Sequence, residues 1–412
     1  MKKKYFFIIL LLTISLLYSC NISQIPDKII LLEGEKINIK KLYGISFETK
    51  ENESKEVWKN QITENQKINV NLFGSIKVKE VSVTVYPKIT VIPTGNLIGL
   101  KLYTNGVLII GMTEIKNEEG IMRKPYETLD IKEGDTILEL GGEEIDSSKT
   151  LQNIVNNSQG NTLEIKYARN GEIKTGEITP AKVSENDYKL GLWVRDSASG
   201  VGTMSFYDPE TKKFAALGHG ISDTDTAELL NIEKGEMVNS KIINITKGQK
   251  GFPGEIKGSI SKESSIGQVN QNTNFGIFGN LLSEPKTLDK YSSGIEIALR
   301  SEVQTGKATI LTTIENNQVE EFEIEITEIY EENNTDNKSI KIRVTDEKLL
   351  EKTGGIICGM SGSPIIQNNK LIGVLTNVLV SEPSIGYGVF SDIMIKEMIK
   401  WFTKNKIFLN NI

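Results

Sequence analysis

The chain has 412 residues, a formal net charge of -6 and a single histidine. Its length exceeds what one hydrophobic core serves, so two or three domains are expected, each able to bury an interior without covalent staples. An acidic balance with no long basic stripe argues against nucleic acid and leaves a protein or a small molecule as the partner. Two cysteines, Cys20 and Cys358, cannot make a disulfide framework, and with one histidine they cannot build a zinc site. No metal or cofactor is expected.

The N-terminus, MKKKYFFIILLLTISLLYSC, sets three lysines before an apolar run from Tyr5 to Tyr18, the layout of an export signal or short membrane anchor over residues 1–26. The run is shorter than the roughly 20 residues that a spanning helix needs. LYSC resembles a lipoprotein box with Cys20 as acceptor, although Tyr18 fits that box poorly. Residues 27–95 contain alternating stretches such as SIKVKEVSVTVYPKITVIP, which predict strands with one wet face.

Residues 96–182 read as a sequence of turns and strands. NLIGLKLYTNGVLIIGM predicts two strands joined by a turn at Asn105-Gly106, and LDIKEGDTILELGGEEI a buried strand and a Gly-Gly hairpin. SSKTLQNIVNNSQG predicts a helix capped by Ser148, with Leu151, Ile154 and Val155 on its inner face. NTLEIKYARNGEIKTGEI adds two strands around Asn170-Gly171. The order, and IKEGDTILELGGEEI above all, resembles a PDZ domain, which binds an extended peptide by adding it to a sheet edge. That resemblance implies a carboxylate-binding loop at Gly99 and Leu100, with Leu100 and Leu102 lining the groove.

From residue 183 to 412 the chain is a run of short strands broken by glycines, including EEFEIEITEIY and KSIKIRVTD, with the polar tract EENNTDNK as a hairpin tip between them. Many strands at such spacing predict β-barrels and a mainly β fold. IMIKEMIKWFTKNKI predicts an amphipathic helix with Met394, Met398, Trp401 and Phe402 on one side, as core.

Within this region CGMSGSPII places Ser361 between Met360 and Gly362. A hydroxyl is a weak nucleophile at neutral pH, so Ser361 requires a base and donors for an oxyanion. His219, in AALGHGISD, is the only imidazole in the chain. Gly359 lets the backbone turn so that the amides of Gly359 and Ser361 face one point, and Gly362 leaves room for substrate. The GxSxG elbow of α/β-hydrolases fails, because Ser363 stands where its final glycine belongs. Cys358, ahead of the oxyanion glycine, is expected to be a buried small hydrophobe.

GMSGSP resembles the GDSGGP of chymotrypsin-like serine proteases. More specifically, the PDZ-like segment followed by GVGTMSFYDPETKKFAALGHGISD, KGFPGEIKG and TGGIICGMSGSPIIQNNKLIGVLTNVLVSEPSIGYGV resembles the stage IV sporulation protein B peptidase family over about residues 96–400. The resemblance implies an exported serine endopeptidase of double-barrel fold, in the forespore intermembrane space or on the outer face of the cytoplasmic membrane. Its implied partners are itself, through self-processing, and a membrane-bound regulator of an intramembrane protease, whose cleavage activates a late mother-cell sigma factor. Asp346, in the TD step of IRVTDEKLLEKTGG, matches the family's third triad member, with Asp223 as runner-up; the competing reading of Asp346 is a helix N-cap.

Overall fold

The computed structural model describes residues 22, 25–32, 45–48, 63–86, 88–169, 171–260, 265–330 and 337–399. The apolar leader, Cys20, Trp401 and Phe402 lie outside them. Among the described residues no helix is long and apolar enough to cross a membrane. The chain divides into two compact units, residues 1–89 with 395–412, and Thr90–Met394.

In the first unit β1 (Lys28–Leu32), β2 (Ile45–Glu48), β3 (Thr63–Leu72) and β4 (Ile76–Tyr86) form one sheet in the order β1-β4-β3-β2. Its alternation puts Ile68, Val70, Val81 and Val83 inside, as the period-two pattern predicts.

The second unit opens with β5 (Thr90–Pro93) and β6 (Leu97–Met112). β6 is one strand where two and a turn are expected; Gly106, at φ 84°, bends it without ending it. The hairpin β7 (Ile115–Lys116) and β8 (Met122–Arg123) follows. Then come β9 (Thr136–Leu140), β10 (Glu143–Glu144), α1 (Ser148–Asn157), β11 (Leu163–Arg169) and β12 (Glu172–Ile178). With the distal half of β6 these enclose a separate core of Val107, Ile109, Ile137, Leu151, Ile154 and Ile165. This is the PDZ-like α+β module. The cap of α1 is Ser147, whose hydroxyl accepts from the Thr150 amide, one residue before the expected Ser148. A short hairpin, β13 (Ala181–Ser184) and β14 (Asp187–Lys189), leads to β15 (Leu192–Tyr207).

β15 runs from the PDZ-like module into the first barrel. Beyond it lie β16 (Lys213–Ala216), β17 (Ile232–Thr246), β18 (Glu255–Ile260), β19 (Gly267–Thr273) and β20 (Gly276–Leu281). The antiparallel pairings β6–β15, β15–β16, β16–β20, β20–β19, β19–β17 and β17–β6 close a ring. Leu100, Leu102, Met204, Phe214, Met237 and Ile277 fill it. The proximal half of β6 is thus a barrel strand, and the PDZ-like module is inserted between two strands of this barrel.

The remaining elements are β21 (Ile295–Ile297), β22 (Gly306–Glu315), β23 (Gln318–Ile329), β24 (Ile340–Val344), α2 (Glu347–Thr353), β25 (Pro364–Gln367), β26 (Lys370–Val378) and β27 (Ile385–Phe390). A second ring closes through β22–β23, β23–β24, β24–β27, β27–β26, β26–β25 and β25–β22. Its core holds Ile310, Phe322, Ile342, Ile365 and Phe390. Residues 391–399 are helical, with Met394 and Met398 buried. Closed rings leave no barrel edge to aggregate, which a chain this rich in strands must achieve. The architecture is a chymotrypsin-like double barrel.

Candidate active site

His219 follows β16 in the first barrel, and Ser361 precedes β25 in the second. The turn that carries His219 bends sharply, Leu217 at φ 69° and Gly218 at φ 73° both being left-handed. A Cβ on Gly218 would stand 2.9 Å from the Thr376 methyl. The same Thr376 offers its carbonyl to the Ser361 hydroxyl, at 2.8 Å. Thr203, on β15, is a second common neighbour: its amide donates to the Ser361 carbonyl at 2.9 Å, and its carbonyl accepts from the Leu217 amide at 3.2 Å. Both half-buried functional side chains are therefore brought to one place from remote parts of the sequence.

No hydrogen bond joins imidazole and hydroxyl. His219 instead has Nδ1 2.8 Å from the Gly220 carbonyl. A carbonyl only accepts, so Nδ1 carries the proton and Nε2 is left as the basic nitrogen. Burial holds the His219 pKa below the ordinary histidine value, outweighing the opposing effect of the Gly220 carbonyl, and so favours the neutral ring.

The Ser361 loop has an ordered pattern of bonded and free backbone groups. The amides of Cys358, Met360, Gly362 and Ser363 donate to Gly254, Ile357, Leu375 and Met360 carbonyls. Among the described residues those of Gly359 and Ser361 have no partner. The carbonyl before each is held: Cys358 accepts from the Ile256 amide at 2.8 Å, and Met360 accepts from the Ser363 amide at 3.0 Å and hydroxyl at 2.7 Å. In a trans peptide N–H and C=O point opposite ways, so each free N–H is turned away from a fixed carbonyl. Gly359, at φ 100°, makes this path possible.

Several expectations change. Gly362 does not leave room for substrate: a Cβ there would stand 1.9 Å from the Thr203 carbonyl, so the first barrel fills that space. Cys358 is exposed rather than buried; cover around its sulfur and the nearby Glu255 charge hold the thiol pKa up, which disfavours the thiolate. Asp346 is not brought to the imidazole. Its carboxylate caps α2, accepting from the Leu349 amide at 3.0 Å, and a second oxygen lies 3.4 Å from the Glu323 amide. Asp223 is also engaged elsewhere, accepting from the Asp225 and Thr226 amides at 3.0 Å and pairing with Arg195. Burial alone would raise its pKa, but these amides and Arg195 bring it below the ordinary value.

Gly99, Leu100 and Leu102 do not line a peptide groove. They lie in the proximal half of β6, hydrogen-bonded to β15 on one side and β17 on the other, with both leucines in the barrel core. A strand with both edges taken cannot accept another. Within the PDZ-like module the strand beside β6 is Leu192–Arg195, whose other edge is unpaired among the described residues. It is preceded by Gly191 at φ 77°. The Asp196 carboxylate at its end accepts from the Ser148 amide at 2.8 Å and hydroxyl at 2.7 Å.

Sequence reasoning missed the backbone partners: the carbonyls of Gly220 and Thr376, and the contribution of Thr203 and Ile256. The motifs GVGTM and GFPGEIKG contain the latter two, but a main-chain role leaves no side-chain signature.

A stretch of 69 residues is 39% identical to a Bartonella henselae protein named as a zinc metalloprotease, covering 17% of this chain and 19% of that one. The chain thus matches about a fifth of that relative's length. Among solved structures, the active form of the Rv3671c protease from M. tuberculosis is 14% identical over 47% of this chain and 70% of its own, with a TM-score of 0.27. The HtrA-type protease AlgW with decapeptide is 8% identical over 74% and 64%, at 0.30. The PDZ domain of an SdrC-like protein from Listeria monocytogenes is 17% identical over 22% and 87%, at 0.17. The fold rests on the strand pairing rather than on these superpositions. Residues 186–395, which include both His219 and Ser361, match the model of the SpoIVB peptidase S55 family, so the chain belongs to that family.

Proposed function

We propose that the chain is an exported endopeptidase in which His219 and Ser361 work as a pair, with the Gly220 carbonyl in the place usually filled by a triad acid. The observation that carries this reading is the pair of unpartnered amides, Gly359 and Ser361, on either side of Met360, beside a neutral imidazole whose Nε2 is free to accept. In the reaction the Ser361 side chain turns from the Thr376 carbonyl toward Nε2. His219 takes its proton as Oγ attacks a peptide carbonyl, the two amides receive the oxyanion, and the protonated ring returns the proton to the leaving amine. Water then resolves the acyl-enzyme by the same path.

The substrates are itself and, as the sequence resemblance implies, a membrane-associated regulatory protein in a sporulation signalling pathway, met in the forespore intermembrane space or at the outer face of the cytoplasmic membrane. A peptide tail adds to the unpaired edge of Leu192–Arg195. Expression in a host without sporulation genes tests self-cleavage: the wild type loses N-terminal mass and Ser361→Ala does not. Equal processing of the two would exclude Ser361 as the nucleophile.

A second reading is a catalytically silent exported scaffold. It is favoured by the Ser361 hydroxyl being bonded to Thr376 rather than to the imidazole. The same processing experiment separates the two, since a scaffold leaves both proteins whole.

A further inference from the structure

The nucleophile loop is held open by contacts from outside its own barrel. Four consecutive carbonyls, Cys358 to Ser361, are all bonded. Met360 is held within the loop and Cys358 by the Ile256 amide of β18, whose side chain packs in the second barrel's core, whereas the other two are held from the first barrel: Gly359 by the Thr203 hydroxyl at 2.8 Å, and Ser361 by the Thr203 amide. The Gly359 carbonyl lies between the two free amides along the chain. If it turned inward it would present an acceptor where an oxyanion must sit, and like dipoles would oppose the charge that forms there. Only Thr203 supplies a side chain to the first-barrel contacts. It is 1% exposed, so its hydroxyl is not competing with bulk water.

We propose that Thr203 is a positioning residue for the oxyanion site: its hydroxyl keeps the Gly359 carbonyl turned outward, so that the amides of Gly359 and Ser361 stay directed at the scissile carbonyl. The inference rests on the Ser361 reading above. Thr203 does not touch substrate; it acts through Gly359. Its backbone joins Ser361 to Leu217, two residues before His219, so one residue of the first barrel registers both loops.

The test compares Thr203→Val and Thr203→Ala, which lack the hydroxyl, with Thr203→Ser, which keeps it, in the full chain. The readouts are turnover of fluorescein-labelled casein over a concentration range, the rate of Ser361 labelling by a fluorophosphonate probe, and the thermal midpoint. Loss of oxyanion geometry lowers kcat rather than raising KM. Val and Ala variants are expected to lose about tenfold or more in kcat and in labelling rate, with KM within about twofold, because a misdirected donor approaches the cost of a missing one. The Ser variant is expected to recover to within about threefold of wild type. Ala against Ser is a second pair, each lacking the methyl group, and it decides the matter if Val fails to fold. Activity of Val and Ala within twofold of wild type, or equal loss in Ala and Ser, would overturn the role of the hydroxyl. A wild type no more active than Ser361→Ala would overturn the Ser361 reading itself and this proposal with it.

Discussion

His219 and Ser361 sit on comparable turns, each flanked by glycine, yet the two turns are held in different ways. The His219 ring is oriented within its own turn, by the carbonyl of the next residue, Gly220. In the Ser361 loop the carbonyls of Gly359 and Ser361 are instead held from the other barrel, by Thr203. A local contact survives whenever the turn survives. A contact across barrels exists only when both barrels are folded and docked, so nucleophile geometry reports assembly of the whole peptidase unit.

The largest effect should come from the reacting side chains. Ser361→Ala and His219→Ala are each expected to lower casein turnover by about 10⁴-fold or more, with the melting transition retained. Gly362→Ala should break the cross-barrel side of the comparison. The added carbon meets the Thr203 carbonyl at 1.9 Å, and the residue sits at φ 105°. Strain and overpacking together are expected to cost about 3 kcal/mol or more, read from the denaturant midpoint. A mild variant would mean that the loop yields easily.

The pH profile sharpens the local side. Burial lowers the His219 pKa, so the ring stays neutral to lower pH than an exposed imidazole. Activity is full above the folded pKa and is lost as pH falls through it. The acid limb of kcat/KM should therefore lie below the ordinary histidine range, and should vanish from the residual activity of His219→Ala. A limb above that range would point to a carboxylate partner for the ring. The smallest effect is expected at Asp346: Asp346→Asn should keep near wild-type turnover, and Asp346→Ala should cost about 1 kcal/mol of stability through loss of the α2 cap. A catalytic orienter would instead lose about 10⁴-fold in the Asn variant.

Much of this was legible in the sequence because it depends on local patterns. Alternation in EEFEIEITEIY and KSIKIRVTD marked β23 and β24, which pair antiparallel. The helical spacing of Leu151, Ile154 and Val155 gave the inner face of α1. Strand partnership was not legible. LIGLKLYTNGVLIIGM looks like a PDZ strand pair, but its first half closes a barrel because β17, far along the chain, supplies the partner. Asp346 fitted two roles from sequence, and only its bond to the Leu349 amide separates them. The orientation of Gly359 depends on carbonyls, which every residue has.

Intact-protein mass spectrometry after fluorophosphonate treatment, with the adduct mapped by peptide sequencing, tests the pairing of His219 and Ser361 most directly. One adduct on Ser361 in the wild type, lost in His219→Ala and retained in Asp346→Asn, is the predicted result. Equal labelling of wild type and His219→Ala, or casein cleavage by a chain whose Ser361 carries the adduct, would contradict it.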